Sequence, residues 1–223
     1  MEGSRTSLLQ WFMAMFLLAR PGFGTTATAL SKAIRVTYKT AWLMLHKIRH
    51  AISQADATVR LSGTVRVNYD VYGRPDWYYA SQRYPKEQPL FTGGTVTDQG
   101  KTVYVKIKLI STEHIQDFRI SPNAEAAFLD SHADADQMDA LFFPKRAHPK
   151  RFPPISNCYR FARSWIRHTF KGIGRKYVQS YLDEFCFCLN EGQNGVTPFQ
   201  RLTLVCASHG TVTQAALRLR SVV

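Results

Sequence analysis

At 223 residues with 45% hydrophobic content, the chain can hold one substantial core plus a small accessory unit. Lys and Arg number 29 against 16 Asp and Glu, and the resulting +13 points to polyanionic partners, either nucleic acid or an anionic membrane surface. The four cysteines (Cys158, Cys186, Cys188 and Cys206) form no CxxC pair and no disulfide framework, so reduced thiols and a cytoplasmic location are expected.

The first element is apolar. Leu8, Trp11, Phe12, Met15, Phe16 and Leu18 recur at helical spacing and predict one wide apolar face. The run from 7 to 19 is too short to span a bilayer, and it ends in Arg20-Pro21-Gly22 without a small-x-small cleavage site. Thr25 or Thr26 can cap a second helix with Ala27, Leu30 and Ile34 inward. Thr37 caps a third over 38–53, whose apolar side carries Ala41, Met44, Leu45 and Ile48. The short Arg35-Val36-Thr37 connection fits helix-turn-helix geometry, with the later helix in the major groove. Tyr38, Lys39 and Thr40 would then meet bases or phosphates, and Lys47 and Arg49 phosphates further along. A plain three-helix bundle with a cationic surface is the alternative.

From Leu61 the period changes to two. Val65, Val67, Tyr69 and Val71 alternate with Arg66, Asn68 and Asp70, predicting a strand with one apolar and one polar face. A turn follows at Gly73-Arg74-Pro75-Asp76. Strands over 90–96 and 102–110 flank the Asp98-Gln99-Gly100 turn as a hairpin. A short strand over 118–121 and a helix over 124–130, with Asn123 near its start, complete a mixed sheet with flanking helices, an α/β domain.

Between Asp139 and Asp183 no acidic residue occurs, while ten Lys or Arg do: Lys145, Arg146, Lys150, Arg151, Arg160, Arg163, Arg167, Lys171, Arg175 and Lys176. Phe152, Tyr159, Phe161, Trp165 and Phe170 interleave with them, which suits a surface that tracks phosphates. Arg160, Arg163 and Arg167 fall on one side of a helix; an ordinary solvated helix is the alternative. A further helix over 176–189 would turn Tyr177, Tyr181, Leu182, Phe185 and Leu189 inward. Cys186 and Cys188 read as core, and the segment after Val196 as an irregular apolar tail.

Three segments resemble one known family. Trp11-Phe12-Met13-Ala14 through Lys39-Thr40-Ala41-Trp42-Leu43-Met44-Leu45-His46-Lys47-Ile48-Arg49 is close to WFxA and KTAWxMLHxIR. Leu61-Ser62-Gly63-Thr64-Val65-Arg66-Val67-Asn68, with Gly73 following, parallels GxVEVDE and its later glycine. Tyr177-Val178-Gln179-Ser180-Tyr181-Leu182-Asp183-Glu184-Phe185, ending at Asn190, parallels YLQxYLDEF…N. Together they span about residues 8 to 190 and resemble bacterial insertion-sequence transposases of the DDE type, in the group with an N-terminal zinc ribbon. The resemblance implies a helix-turn-helix domain over 1–58, a ribonuclease-H-like domain over 59–191 and a tail over 192–223. It also implies Mg2+ dependence, strand transfer on double-stranded insertion-sequence ends, and partnership with further copies or an active relative.

The departures fall on the catalytic positions. The family's first aspartate falls on Asn68, its second on Asn123 and its third carboxylate on Arg160, while the lysine that follows becomes Arg167. No cysteine precedes Cys158, so the zinc-ribbon ligands are missing. A two-metal site needs anionic oxygens to offset two divalent cations, so Mg2+ is expected to be weakly bound or absent and catalysis impaired. Asp70 and Glu125 are the acids nearest to Asn68 and Asn123 along the chain, and displaced carboxylates of this kind would be needed for surviving strand transfer. A decayed remnant with no retained role is the third reading. The DNA-facing set is Tyr38, Lys39, Thr40, Lys47, Arg49, Arg163, Arg167 and Lys171, and no membrane contact is expected.

Overall fold

The computed structural model describes residues 6–20, 22, 24–73, 88–116, 119–143, 152–193, 197–210 and 212–219. The turn residues Arg74, Pro75 and Asp76, as well as Phe118, Lys145, Arg146, Lys150, Arg151 and Val196, lie outside them. The chain forms two compact units, one of residues 1–58 with 164–222 and one of 59–163. Residues 164–191, assigned from sequence to the second domain, therefore belong with the N-terminal helices.

The first unit is helical. α1 (Leu8–Leu18) opens with a capping box, Ser7 Oγ accepting from the Gln10 N–H while Gln10 Oε1 accepts from Ser7 N. Its buried residues are Trp11, Ala14, Met15 and Leu18. The predicted apolar face is thus corrected: Leu8, Phe12 and Phe16 are exposed, because that hydrophobic run covers more of the helix than one core can take. Thr26 caps α2 (Ala27–Ile34), which buries Leu30 and Ile34. Arg35 ends α2 in the left-handed conformation at φ 54°, and Thr37 Oγ1 accepts from the Thr40 N–H at the start of α3 (Tyr38–Thr58). α3 buries Ala41, Met44, Leu45 and Ile48 as expected from their spacing.

Two later helices close this core. α6 (Arg175–Gln193) buries Val178, Tyr181, Leu182 and Cys186, and its Asp183 accepts from Ser53 of α3 at 2.6 Å. α7 (Pro198–Ser208) is capped by Thr197 and puts Leu202 into the same cluster as Met15, Leu30 and Ile52. The irregular tail expected after Val196 is thus corrected by α7 and by α8 (Gln214–Leu219). Apolar side chains at 198, 202 and 205 repeat at helical spacing there, a signal short enough to pass for disorder.

The second unit is a mixed α/β layer structure. β1 (Leu61–Tyr72), β2 (Gln88–Val96), β3 (Thr102–Leu109) and β6 (Ala133–Phe143) form one sheet in the order β3-β2-β1-β6. β1 is antiparallel to β2, β2 antiparallel to β3, and β1 parallel to β6. The predicted hairpin is present, whereas the Phe118 strand becomes a two-residue element, β5 (Arg119–Ile120), paired with β4 (Ile115–Gln116). β6 was not expected from the sequence: ADADQMDALFF alternates only over its first four residues, in Ala and Asp of low strand propensity, and carries no β-branched residue. Pairing with β1 supplies its backbone partners, and Arg66 of β1 reaches Asp139 across it at 3.4 Å.

Both faces of β1 are buried over residues 67–71. Val65, Val67, Tyr69 and Val71 pack with Phe91 and with Ala124 and Phe128 of α4 (Asn123–His132). Gly93 permits that packing, since a Cβ there would lie 2.8 Å from the Phe128 ring. The face predicted to be polar is covered by α5 (Pro153–Phe170), whose Tyr159 hydroxyl donates to the Val71 carbonyl at 2.6 Å. Asn68 (0% exposed) and Asp70 (5%) therefore lie inside, so the polar face expected of this strand is itself buried here. Arg60 donates to the Asp130 and Ala133 carbonyls and satisfies the C-terminal end of α4.

Candidate nucleic-acid interface and the substituted catalytic positions

Two of the three substituted positions, Asn68 and Asn123, lie on opposite faces of the sheet. The Asn68 carboxamide nitrogen donates to the Phe152 carbonyl and to Ser156 Oγ, each at 3.0 Å, so its hydrogens are committed to the start of α5. Its Oδ1 accepts from the Phe152 N–H at 3.4 Å. Alternate residues of a strand point to opposite faces, and Asn68 shares its face with α5 while α4 packs on the face of Val67 and Tyr69. Asn123 is exposed at the start of α4, where its N–H donates to Ser121 Oγ at 3.3 Å. It thus stands in the layer opposite Asn68. Arg160 is exposed on α5 and donates to Asn157 Oδ1 at 3.4 Å.

The nearby acids fare no better. Asp70 shares the α5 face and accepts from Thr92 Oγ1 at 3.3 Å, whereas Glu125 belongs to α4 in the other layer. Partial burial pushes the Glu125 carboxyl up from its ordinary value, which favours the neutral form. A divalent cation needs several anionic oxygens around one point. A neutral amide with both hydrogens engaged, a helix-start Asn in the opposite layer and an exposed guanidinium do not fit Mg2+.

The cationic residues divide by exposure. On α5 and at its end, Arg160, Arg167 and Lys171 are exposed and Arg163 is half-buried, while Ile155, Tyr159, Ala162 and Ile166 are buried on the other side. At ~100° per residue Arg160, Arg163 and Arg167 occupy one side of the helix, and Lys171 follows its end at φ 62°. The half-buried Cys158 carries a thiol that burial pushes up, which keeps it protonated and unreactive. In the first unit Tyr38 (59% exposed) and Lys39 stand free at the start of α3, with Thr40 bonded to Thr37 and Lys47 half-buried.

Arg49 is a correction. It is 1% exposed, with its Nε bound to Glu184 Oε2 and its guanidinium 3.8 Å from the Tyr181 ring centroid. The helical periodicity puts it beside Ile48 and Ile52, on the buried side of α3, so it cannot reach a phosphate. Burial pushes the Glu184 carboxyl up, and the neighbouring Arg49 charge pulls it partly back. His46 stacks on Trp42 with centroids 4.0 Å apart, and burial, aided by the Arg49 charge, lowers its pKa to about 3. It is therefore neutral at physiological pH. The Arg49–Glu184 pair was beyond sequence reasoning because 135 positions separate its members; a charged pair falling in two otherwise apolar helix faces was the available signal.

The fold and these side chains define a mixed α/β protein with a helical unit and a basic helix face. No family model matches the chain, and no curated protein matches it. Among solved structures, a chain of a pre-cleavage Mos1 transpososome aligns over 96% of this chain and 82% of its own length, at 12% identity and a TM-score of 0.18. A likeness that slight does not define a fold. No helix among the described residues is long and apolar enough to cross a membrane.

Proposed function

We propose that this chain is a DNA-binding protein of transposase lineage in which metal-dependent strand cleavage has been lost. The lineage rests on the motif resemblance. The observation that carries the binding reading is the basic side of α5, with Arg160, Arg167 and Lys171 exposed in a stretch free of acidic residues. Arginine forks match phosphate oxygens, and a row of them tracks a backbone without reading sequence. The start of α3 adds Tyr38 and Lys39, where the positive end of the helix dipole favours an anion; this is the end a helix-turn-helix would present to DNA. Loss of cleavage is supported by the neutral, fully buried Asn68, by its placement in the layer opposite Asn123, and by the positive charge of Arg160. The natural targets on this reading are insertion-sequence ends, and binding there without cutting would occupy sites used by an active relative.

Titration of labelled duplex across salt concentrations, run beside a cleavage assay with Mg2+ or Mn2+, tests the proposal. With about four phosphate contacts, log affinity should fall against log salt with a slope near −3.6. Arg160→Ala with Arg167→Ala should reduce that slope by about two. Metal-dependent cutting by the unaltered chain would reject the loss of cleavage, and salt-independent or undetectable binding would reject the DNA role.

A further inference from the structure

α1 has a second apolar side that stays largely exposed among the described residues, where Phe16 meets the Phe199 ring of α7 at 5.6 Å between centroids. Leu8 (60% exposed), Leu9 (69%), Phe12 (39%), Met13 (38%) and Phe16 (54%) all face outward, opposite the buried Trp11, Ala14, Met15 and Leu18. Leu9, Phe12, Met13 and Phe16 fall at i, i+3, i+4 and i+7, the spacing of a seam between two helices. Single exposed apolar residues are ordinary, but a contiguous stripe of five marks a contact surface.

Two quantities point to what covers it. A fully exposed aromatic side chain offers about 150–250 Å², so these exposed fractions leave roughly 500 Å² of stripe. Two such stripes face to face would remove about 1,000 Å² from water, the lower bound for a specific interface. The second quantity is charge. Leu8–Leu18 contains no ionisable residue in a chain of net charge +13, so the stripe itself adds no like charge to a contact between copies.

We propose that the stripe is a self-association face on which α1 pairs with α1 of a second copy. An antiparallel two-fold arrangement sets Leu9 against Phe16 of the second copy and Phe12 against its Met13. It repeats each contact twice, as an isologous interface requires. The inference is independent of the DNA-binding reading.

Sedimentation velocity on the full chain without DNA tests it. The unaltered protein should pass from monomer to dimer with a midpoint on the order of 10 μM, and added salt should strengthen the dimer by screening the positive charge elsewhere. Leu9→Glu and, separately, Met13→Glu should give monomer at every concentration with an unchanged melting temperature, because both side chains already face solvent. Leu9→Glu combined with Phe16→Lys should restore the dimer through two cross-pairs. A monomeric unaltered protein at about 100 μM would overturn the proposal. So would dimers that survive Leu9→Glu, or failure of the double variant to recover while it remains folded. Flotation of a monomeric protein with phosphatidylserine vesicles would reject the second copy in favour of a lipid surface.

Discussion

Arg49 and Glu184 illustrate what a buried ion pair does and does not contribute. Among the described residues, Arg49 Nη2 and Glu184 Oε1 have no hydrogen-bond partner, so the pair recovers only part of its desolvation cost. Arg49→Leu alone should lower unfolding stability by about 3–5 kcal/mol, because it strands a carboxylate in the core. Arg49→Leu with Glu184→Leu should recover most of that loss in chemical denaturation. Duplex affinity per folded molecule should be unchanged in both, which separates this buried role from a phosphate contact. His46 gives the pH dependence. Its folded pKa of about 3 lies below the ordinary histidine value of 6.5, so the unfolded chain binds the extra proton and stability falls as pH drops through that window. At pH 4.5 the loss is about 2–3 kcal/mol, and His46→Phe should flatten the decline between pH 6.5 and 4.5. Glu184, raised rather than lowered, contributes with the opposite sign, so the slope must be compared between variants.

At the scale of elements, the opposed placement of α4 and α5 decides what reversion can do. Asn68→Asp, Asn123→Asp and Arg160→Glu together restore the family's residue types. They leave Asn68 facing α5 and Asn123 starting α4 in the other layer. The triple variant should therefore show no Mg2+-dependent cleavage, and Asn68→Asp alone should cost about 1–3 kcal/mol by placing a carboxylate oxygen against the Phe152 carbonyl. Cleavage by the triple variant would mean that the layers rearrange. A second test is Gly93→Ala, which drives a Cβ into the Phe128 ring and should cost about 1–3 kcal/mol, read as a lower melting temperature. Elements with strong local signals were legible in the sequence: α2 and α3 through Thr26 and Thr37, and the β2–β3 hairpin through Asp98-Gln99-Gly100. β6 was not, because its stability comes from its neighbour β1 rather than from its own residues. The burial of Asn68 and Asp70 was hidden for a related reason: alternation marks a half-buried strand, and a helix arriving 84 positions later covers the polar half.

The molecule as a whole is organised discontinuously, since the helical unit takes its residues from both ends of the described chain. A fragment of residues 1–58 lacks Leu202, Leu182 and Glu184, and it exposes Ile48, Ile52 and an unpaired Arg49. It should show weak, non-cooperative thermal unfolding by circular dichroism, whereas the full chain melts cooperatively. A sharp transition in the fragment would reject this division of the core. The same discontinuity sets a schedule during synthesis. At about 5–20 residues per second, the 135 positions between Arg49 and Glu184 take roughly 7 to 27 s to emerge. The sheet unit has all its strands and α4 before the helical unit receives its last member. For those seconds α1 to α3 form an apolar, positively charged segment awaiting α6, a natural client for a ribosome-associated chaperone.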